Sequence, residues 1–432
     1  MSDRVLIIGG GFSGAMLAAR LAERGAASTL INRDDRFGLG VAYGAAEPWH
    51  LLNVRSARMS AVADRPDDFV DWLRLHAPEH SDPHGFAPRV VFGRYVQDRL
   101  NRIRRERPQA IEAMSGVATA IGGDGVDLAD GRRLQGRAVV LSTGNPPPAA
   151  ASALPGAVAD PWALGALEGV RPSDDVVLIG TGLTMVDVLA TLERRGWFGR
   201  AFALSRRGLL PRSHGPRPDP RLEPAPGVGR SLAGSVKAAR DAAPPGDGWR
   251  SLMEAYRPIT AELWASLDAR GQRRLLRHLR PWWDVHRHRL APEVAARIDS
   301  LIRQDRLSVM AGRLLTARPA AGRIELSFRP RSQTREAKLV TDWLIDCSGP
   351  GHDPRKDPLT GPLIAAGAAR LHANGLGLDL DPFGRVLNAQ GLAHPDLYVL
   401  GPPARAAFWE TIAVPDIRER IEAMARALSP PS

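Results

Sequence analysis

Two short stretches carry the glycine spacing that brings main-chain N–H groups up to a phosphate. Near the start, "VLIIGGGFSGAMLAARLAERG" places small residues at Gly9, Gly11 and Gly14. Further on, "DDVVLIGTGLTMVDVLATLERRG" repeats the pattern with Gly180 and Gly182, but has Met185 where the third glycine would stand. The first glycine permits the tight bend, the second lets the backbone approach a pyrophosphate, and the third lets the helix lie close on its strand. The helix N-terminus turns its partial positive charge on the phosphates, at Phe12 and Ser13 in one copy and Leu183 and Thr184 in the other. Both turns follow an uninterrupted apolar run and open a patterned helix, the context that separates a nucleotide site from a plain glycine turn.

The strand after each helix reads the ribose. In the first copy "STLIN" ends at Asn32, followed by Arg33, where an acidic residue ordinarily holds the ribose hydroxyls. An amide both accepts and donates, so Asn32 still suits a diol. Alternatively, Arg33 marks a 2′-phosphate. In the second copy "AFALSRRG" ends at Ser205, Arg206 and Arg207, a hydroxyl and two guanidiniums that fit a 2′-phosphate by charge-assisted bonds. The expectation is FAD held throughout at the N-terminal site and NADPH visiting the other.

The elements that position these turns read as an α/β chain with two Rossmann-like dinucleotide-binding domains and a helical insertion. At 432 residues it is too long for one compact core. The expected division is 1–150 for the first part of the FAD domain and 171–345 for the NADPH domain, with helices at about 222–306. "IEAMSGVATAIGGDGVDLADGRRLQGRAVVLSTG" alternates and turns at Gly-Asp-Gly and Ala-Asp-Gly, which suggests a small β-meander. "NPPPAAASALPGAVADPW" reads as a linker.

Composition narrows the function classes. The chain is 44% hydrophobic and 24% charged, ordinary globular material, with no apolar run long enough to span a membrane. Its start lacks the regions of a signal peptide, and the lone Cys347 fits a reducing cytoplasm. The net charge of +11 is arginine spread along the chain, without a basic tail or zinc-finger spacing, so nucleic acid is not the expected partner. The expected partners are a small-molecule substrate and O2, with a homo-oligomer left open. No metal site is expected.

The chain resembles two-dinucleotide-binding-domain flavoproteins of the class B monooxygenase group. More closely, it is similar to a bacterial family of FAD/NAD(P)-binding proteins that includes an FAD-dependent urate hydroxylase. The likeness rests on the two turns together with "GVAYGAAEPWHLLNVRSARMSAVADRPDDFVDWL", "VVLSTGNPPP", "ALSRRGLLPRSH", "RHLRPWWDVHRHRLAPE" and "GPPARAAFWETIAVPDIR", in this order. It implies that Thr143 and Gly144 lie at a strand-end turn by the FAD. It also implies that residues 346–432 return to the FAD domain, where the stretch from Gly401 brings a helix N-terminus, near Thr411 to Val414, towards the flavin ring. Asn53 becomes the candidate catalytic residue, hydrogen-bonding a C4a-hydroperoxyflavin, with Met59 and Ser60 beside it. Arg55 and Arg58 are implied as nicotinamide-phosphate or substrate contacts.

The aromatic and cationic segment around Trp283, His286 and His288, with Trp409, reads either as a wall over the nicotinamide or substrate or as a helix hairpin with its tryptophans buried and its cations solvated. His286 and His288 are two apart and do not share a helix face. The expected activity is NADPH-dependent FAD monooxygenation of a small nitrogen-containing metabolite, by amine N-hydroxylation or heterocycle C-hydroxylation. The alternatives are an FAD-dependent NAD(P)H oxidoreductase passing electrons to a non-oxygen acceptor, and a protein that binds dinucleotides without turnover.

Overall fold

The computed structural model describes residues 3–122, 125–145, 155–220, 222–224, 231–351 and 353–430. Most of the "NPPPAAASALPG" stretch and part of the proline-rich "RLEPAPGVGR" loop lie outside them.

β1 (Val5–Ile8) enters the first glycine turn and α1 (Phe12–Glu23), and β2 (Ser28–Asn32) lies beside it. The chain then runs through an irregular region to α2 (Arg89–Glu106) and β3 (Ile111–Ser115). A small antiparallel sheet of β4 (Ala118–Gly122), β5 (Gly125–Leu128) and β6 (Arg133–Gln135) precedes β7 (Ala138–Leu141). The second unit has β8 (Ala157–Val158), β9 (Val176–Ile179), α3 (Leu183–Arg194) and β10 (Ala201–Ser205). Short helices fill Leu232–Arg303, among them α4 (Arg280–Arg287) and α5 (Pro292–Arg303). Next come β11 (Leu307–Ala320), β12 (Arg323–Pro330), β13 (Ala337–Thr341) and β14 (Trp343–Asp346). The chain ends with β15 (Arg385–Leu387), β16 (Ala393–Val399) and α6 (Val414–Ala427).

The strands form two large sheets, β15-β16-β7-β1-β2-β3 and β13-β12-β11-β10-β9-β14-β8. The cores are superimposable in plan. β7-β1-β2-β3 and β14-β9-β10-β11 are each four parallel neighbours, with the glycine turn leaving the second strand. This is the switch-point arrangement, where strand order reverses and a crevice opens at the strands' C-terminal ends. The apolar run of β1 is covered on both faces, with every residue 5% exposed or less. α1 lies close on it because Gly14 and the small side chains of Ala15, Ala18, Ala19 and Ala22 are among its buried residues.

Two boundaries differ from the sequence reading. The second sheet already takes β8 at Ala157–Val158, ahead of the expected 171, because Leu344 and Ile345 of β14 pair with that two-residue strand. Such a short strand in a proline- and alanine-rich stretch carries no periodicity to read. The expected insertion to about 306 also absorbed α5, which buries Ile298 and Leu301 in the second core as the crossover helix into β11.

Candidate nucleotide and flavin-facing site

The first turn is closed by sterics. Gly9 has φ +107°, and a Cβ on it would stand 2.3 Å from the carbonyl oxygen of Ser142 at the end of β7. A Cβ on Gly14 would stand 2.0 Å from the Gly9 carbonyl oxygen, so only hydrogen fits. A third wall comes from the segment after β2: Gly38 N–H donates to the Gly10 carbonyl at 2.7 Å. There Gly40 has φ +57°, and its Cα would be 3.4 Å from a Cβ on Gly11. The "FGLG" spacing was the available signal.

The second turn repeats the first at its base. Gly180 also has φ +107°, and its Cβ would stand 2.4 Å from the Cys347 carbonyl oxygen at the end of β14. Above the base the two diverge, because nothing lies within 4 Å of a Cβ on Gly182. Met185 is fully buried in the second core, so α3 stands off its turn enough to admit a side chain where α1 admits none. The first turn is roofed by Gly38 to Gly40 and the second is open.

The ribose readers fare differently. Asn32 does not present its amide to a ligand: Oδ1 accepts from Gly10 N–H at 3.1 Å and Nδ2 donates to Asp34 Oδ1 at 2.8 Å. The short side chain reaches back to brace the turn. Arg33 is exposed. In the second unit the Ser205 hydroxyl is 2.9 Å from Thr181 Oγ1 and accepts from Gly208 N–H at 3.0 Å. It therefore shapes the strand end ahead of Arg206 and Arg207. Among the described residues neither guanidinium has a hydrogen-bond or ion-pair partner.

The C-terminal return reaches the first turn. Gly401 has φ +77°, a Cβ on it would stand 2.5 Å from Ser13 Oγ, and Thr411 Oγ1 donates to its carbonyl at 2.9 Å. Val414 opens α6 beside this join. Thr143 is exposed and Gly144 has φ +74° at the mouth of the turn. Met59 and Ser60 are buried, and Ser60 Oγ donates to the Arg65 carbonyl at 2.6 Å, so that hydroxyl holds its own loop. The Ser60 carbonyl accepts from Arg418 of α6 at 3.1 Å.

Asn53 sits where the two units meet. It lines a narrow cleft with Trp49, Leu52, Leu183, Val186 and Leu290. Its carboxamide has no partner among the described residues, while its carbonyl accepts from His214 Nε2 at 3.0 Å. Below the cleft a clasp joins the units: Arg89 Nη2 is 2.9 Å from Asp187 Oδ2, and His50 Nε2 lies 3.1 Å from the Asp187 carbonyl and 2.9 Å from Thr191 Oγ1. Glu47 N–H donates to His50 Nδ1 at 3.1 Å, so Nε2 carries the hydrogen and the ring is neutral. Burial holds its pKa below the usual histidine range.

The expected substrate contacts divide. Arg55 is buried, donates to the His84 carbonyl and, at 2.6 Å, to the Gly215 carbonyl, and packs over Phe86 at 5.1 Å. It ties the two loops together. Arg58 pairs with Glu254, whose carboxyl burial would raise but Arg58 and Arg289 pull down to about 2. Trp409 is likewise packing, 3% exposed and stacked on Trp264 at 4.8 Å. Its φ of +58° is strain worth about 1–3 kcal/mol that this packing holds in place. His286 faces outward, 2.7 Å from the Trp282 carbonyl and 4.8 Å from the Trp249 ring. Trp283 turns inward and donates to Glu410 Oε1 at 2.7 Å, while His288 Nε2 is buried without a hydrogen-bond partner among the described residues. Glu410 is the residue that sequence reading missed. Burial would raise its pKa, yet Arg287, with His288 and the Trp283 N–H, holds it below the usual carboxylate range. Among the described residues no three metal-ligating side chains come together, and no helix is long and apolar enough to cross a membrane.

A family model described as FAD-NAD(P)-binding matches residues 6–146. No curated protein matches the sequence. Among solved structures the chain is similar to an ornithine N-hydroxylase from Kutzneria sp. 744, with TM-score 0.67, 16% identity and 99% of each chain covered. A cadaverine monooxygenase of Erwinia amylovora, solved with FAD bound, gives TM-score 0.69 and 14% identity over 99% of this chain and 94% of that one. An L-lysine 6-monooxygenase from Pseudomonas syringae gives TM-score 0.67 and 16% identity over 99% of each chain. These likenesses establish the fold, two dinucleotide-binding domains on one chain.

Proposed function

We propose that the chain is an NADPH-dependent FAD monooxygenase that N-hydroxylates a small amine. The observation that carries the reading is the pairing of a roofed glycine turn with an open one, and the unpartnered Asn53 carboxamide at their junction. Bound FAD, reduced by NADPH, supplies the activation of O2 for transfer of one oxygen atom. The balance is amine, O2, NADPH and a proton giving hydroxylamine, water and NADP+.

The chain's own residues do the rest. Gly9, Gly11 and Gly14 bring main-chain N–H groups and the α1 N-terminus to the FAD pyrophosphate. Gly38 and Gly40 close over it, which suits a cofactor that stays. Gly180 and Gly182 receive NADPH in an open turn, with Arg206 and Arg207 for the 2′-phosphate. Asn53 offers a neutral donor in a cleft walled by apolar side chains, where a hydrogen bond is stronger than in water. The three similar structures named above act on ornithine, cadaverine and lysine, all amines, which favours N- over C-hydroxylation.

The test is purification with FAD followed by NADPH and O2 with a panel of primary amines, amino acids and purines. A hydroxylamine formed in proportion to NADPH supports the proposal. Turnover undiminished without oxygen would assign the chain to the electron-transfer alternative.

A further inference from the structure

We infer that His214 is a positioning residue, holding the main chain of Asn53 from the pyridine-nucleotide unit and so setting where the Asn53 carboxamide points. The inference rests on the reading of Asn53 as a flavin-facing group. A carbonyl oxygen only accepts, so the 3.0 Å contact between His214 Nε2 and Asn53 O places the hydrogen on Nε2 and leaves Nδ1 bare. The ring packs on Phe86 with centroids 4.9 Å apart, and burial with Arg289 nearby keeps it neutral.

His214 is itself fixed. Its N–H donates to the Leu290 carbonyl at 2.9 Å, Leu290 N–H donates to Arg212 at 2.8 Å, and Arg250 Nε donates to the Ser213 carbonyl at 3.1 Å. The next residue completes a two-point hold, because Arg55 Nη2 donates to the Gly215 carbonyl at 2.6 Å. One loop from the second unit thus fastens both sides of Val54. The same loop starts at Ser205, Arg206 and Arg207, and Thr181 Oγ1 donates to its Leu209 carbonyl at 2.6 Å. The segment expected to read the 2′-phosphate therefore continues into the residue that holds Asn53.

The experiment compares His214→Phe, which keeps the ring packing but has no donor, with His214→Gln, which restores one, and His214→Asn, which is polar but too short to reach. Hydrogen exchange of the 51–60 segment is measured on FAD-free and FAD-loaded protein, without turnover. Peroxide release with NADPH and O2, and anaerobic flavin reduction, are measured beside it. The Phe and Asn variants are expected to exchange 51–60 at least tenfold faster and to release peroxide at least fivefold faster. Flavin reduction should stay within twofold of wild type, and Gln should restore exchange and peroxide release together. Unchanged exchange in both Phe and Asn variants overturns the inference. Faster exchange with peroxide release unmoved, in these variants and in Asn53→Ala alike, upholds the positioning and overturns the Asn53 reading instead.

Discussion

Arg89 and Asp187 stand 2.9 Å apart across the junction of the two units, with side chains 16% and 11% exposed. Arg89 opens α2 in the first unit and Asp187 lies in α3, the helix that leaves the second glycine turn. The pair joins the two helices, and His50 Nε2 meets the same α3 helix at the Asp187 carbonyl and Thr191 Oγ1.

Removing one partner strands the other in a half-dry interface. Asp187→Ala is expected to cost about 2 kcal/mol of stability, with much of it recovered in the double variant carrying Arg89→Leu. Urea unfolding of the four proteins measures this coupling; strictly additive losses would deny the clasp.

The two turns make opposite demands on an added methyl group. Gly14→Ala should lose FAD and fold poorly, because its Cβ has no room beside the Gly9 carbonyl. Gly182→Ala should leave stability within about 0.5 kcal/mol, since its surroundings are open and its φ of −89° suits alanine. Its NADPH affinity should still fall, because the vacant space is where a pyrophosphate would lie. A Gly182→Ala protein with unaltered NADPH binding removes the second turn from the nucleotide site.

Arg206→Gln and Arg207→Gln test the 2′-phosphate directly. Loss of a charge-assisted bond of roughly 1.5–3 kcal/mol corresponds to about a 10- to 100-fold rise in KM for NADPH. NADH kinetics should not move, and neither should the melting temperature. Equal losses with both nucleotides would make these residues general electrostatic contributors.

His214 also predicts a pH dependence of stability. Burial first, and Arg289 next, lower its pKa in the folded protein to about 3. Between the ordinary histidine value of about 6.5 and that point, the unfolded chain binds a proton that the folded chain refuses, so stability falls as pH drops. Glu254 and Glu422, each lowered to about 2, contribute only below their ordinary range. His50 and His288, also lowered, share the upper window. His214→Gln should therefore reduce by about one the protons taken up on unfolding between pH 6.5 and 5, read from the slope of unfolding free energy against pH. An unchanged slope would mean that His214 is protonated in the folded state.

The glycine turns were legible because their constraint is local: φ and the absence of a Cβ are written in the residue type. The two-unit fold followed from finding that grammar twice. The contacts that build the junction were not legible, because Asn53 with His214 and Arg89 with Asp187 are joined only by the fold. Residue type misled where a polar group was spent internally. Asn32 braces the turn, Arg55 ties loops, and Trp409 is held in a strained conformation against Trp264. Glu410 gave no signal in sequence, since its interest lies wholly in the Trp283, Arg287 and His288 groups around it.

The most direct measurement of the central claim follows FAD-loaded protein through NADPH oxidation under 18O2 with primary amines, with mass analysis of the product. The account predicts a hydroxylamine carrying one 18O atom, with the second oxygen in water. All the oxygen consumed appearing as peroxide with every amine tested, or label-free product, would contradict it.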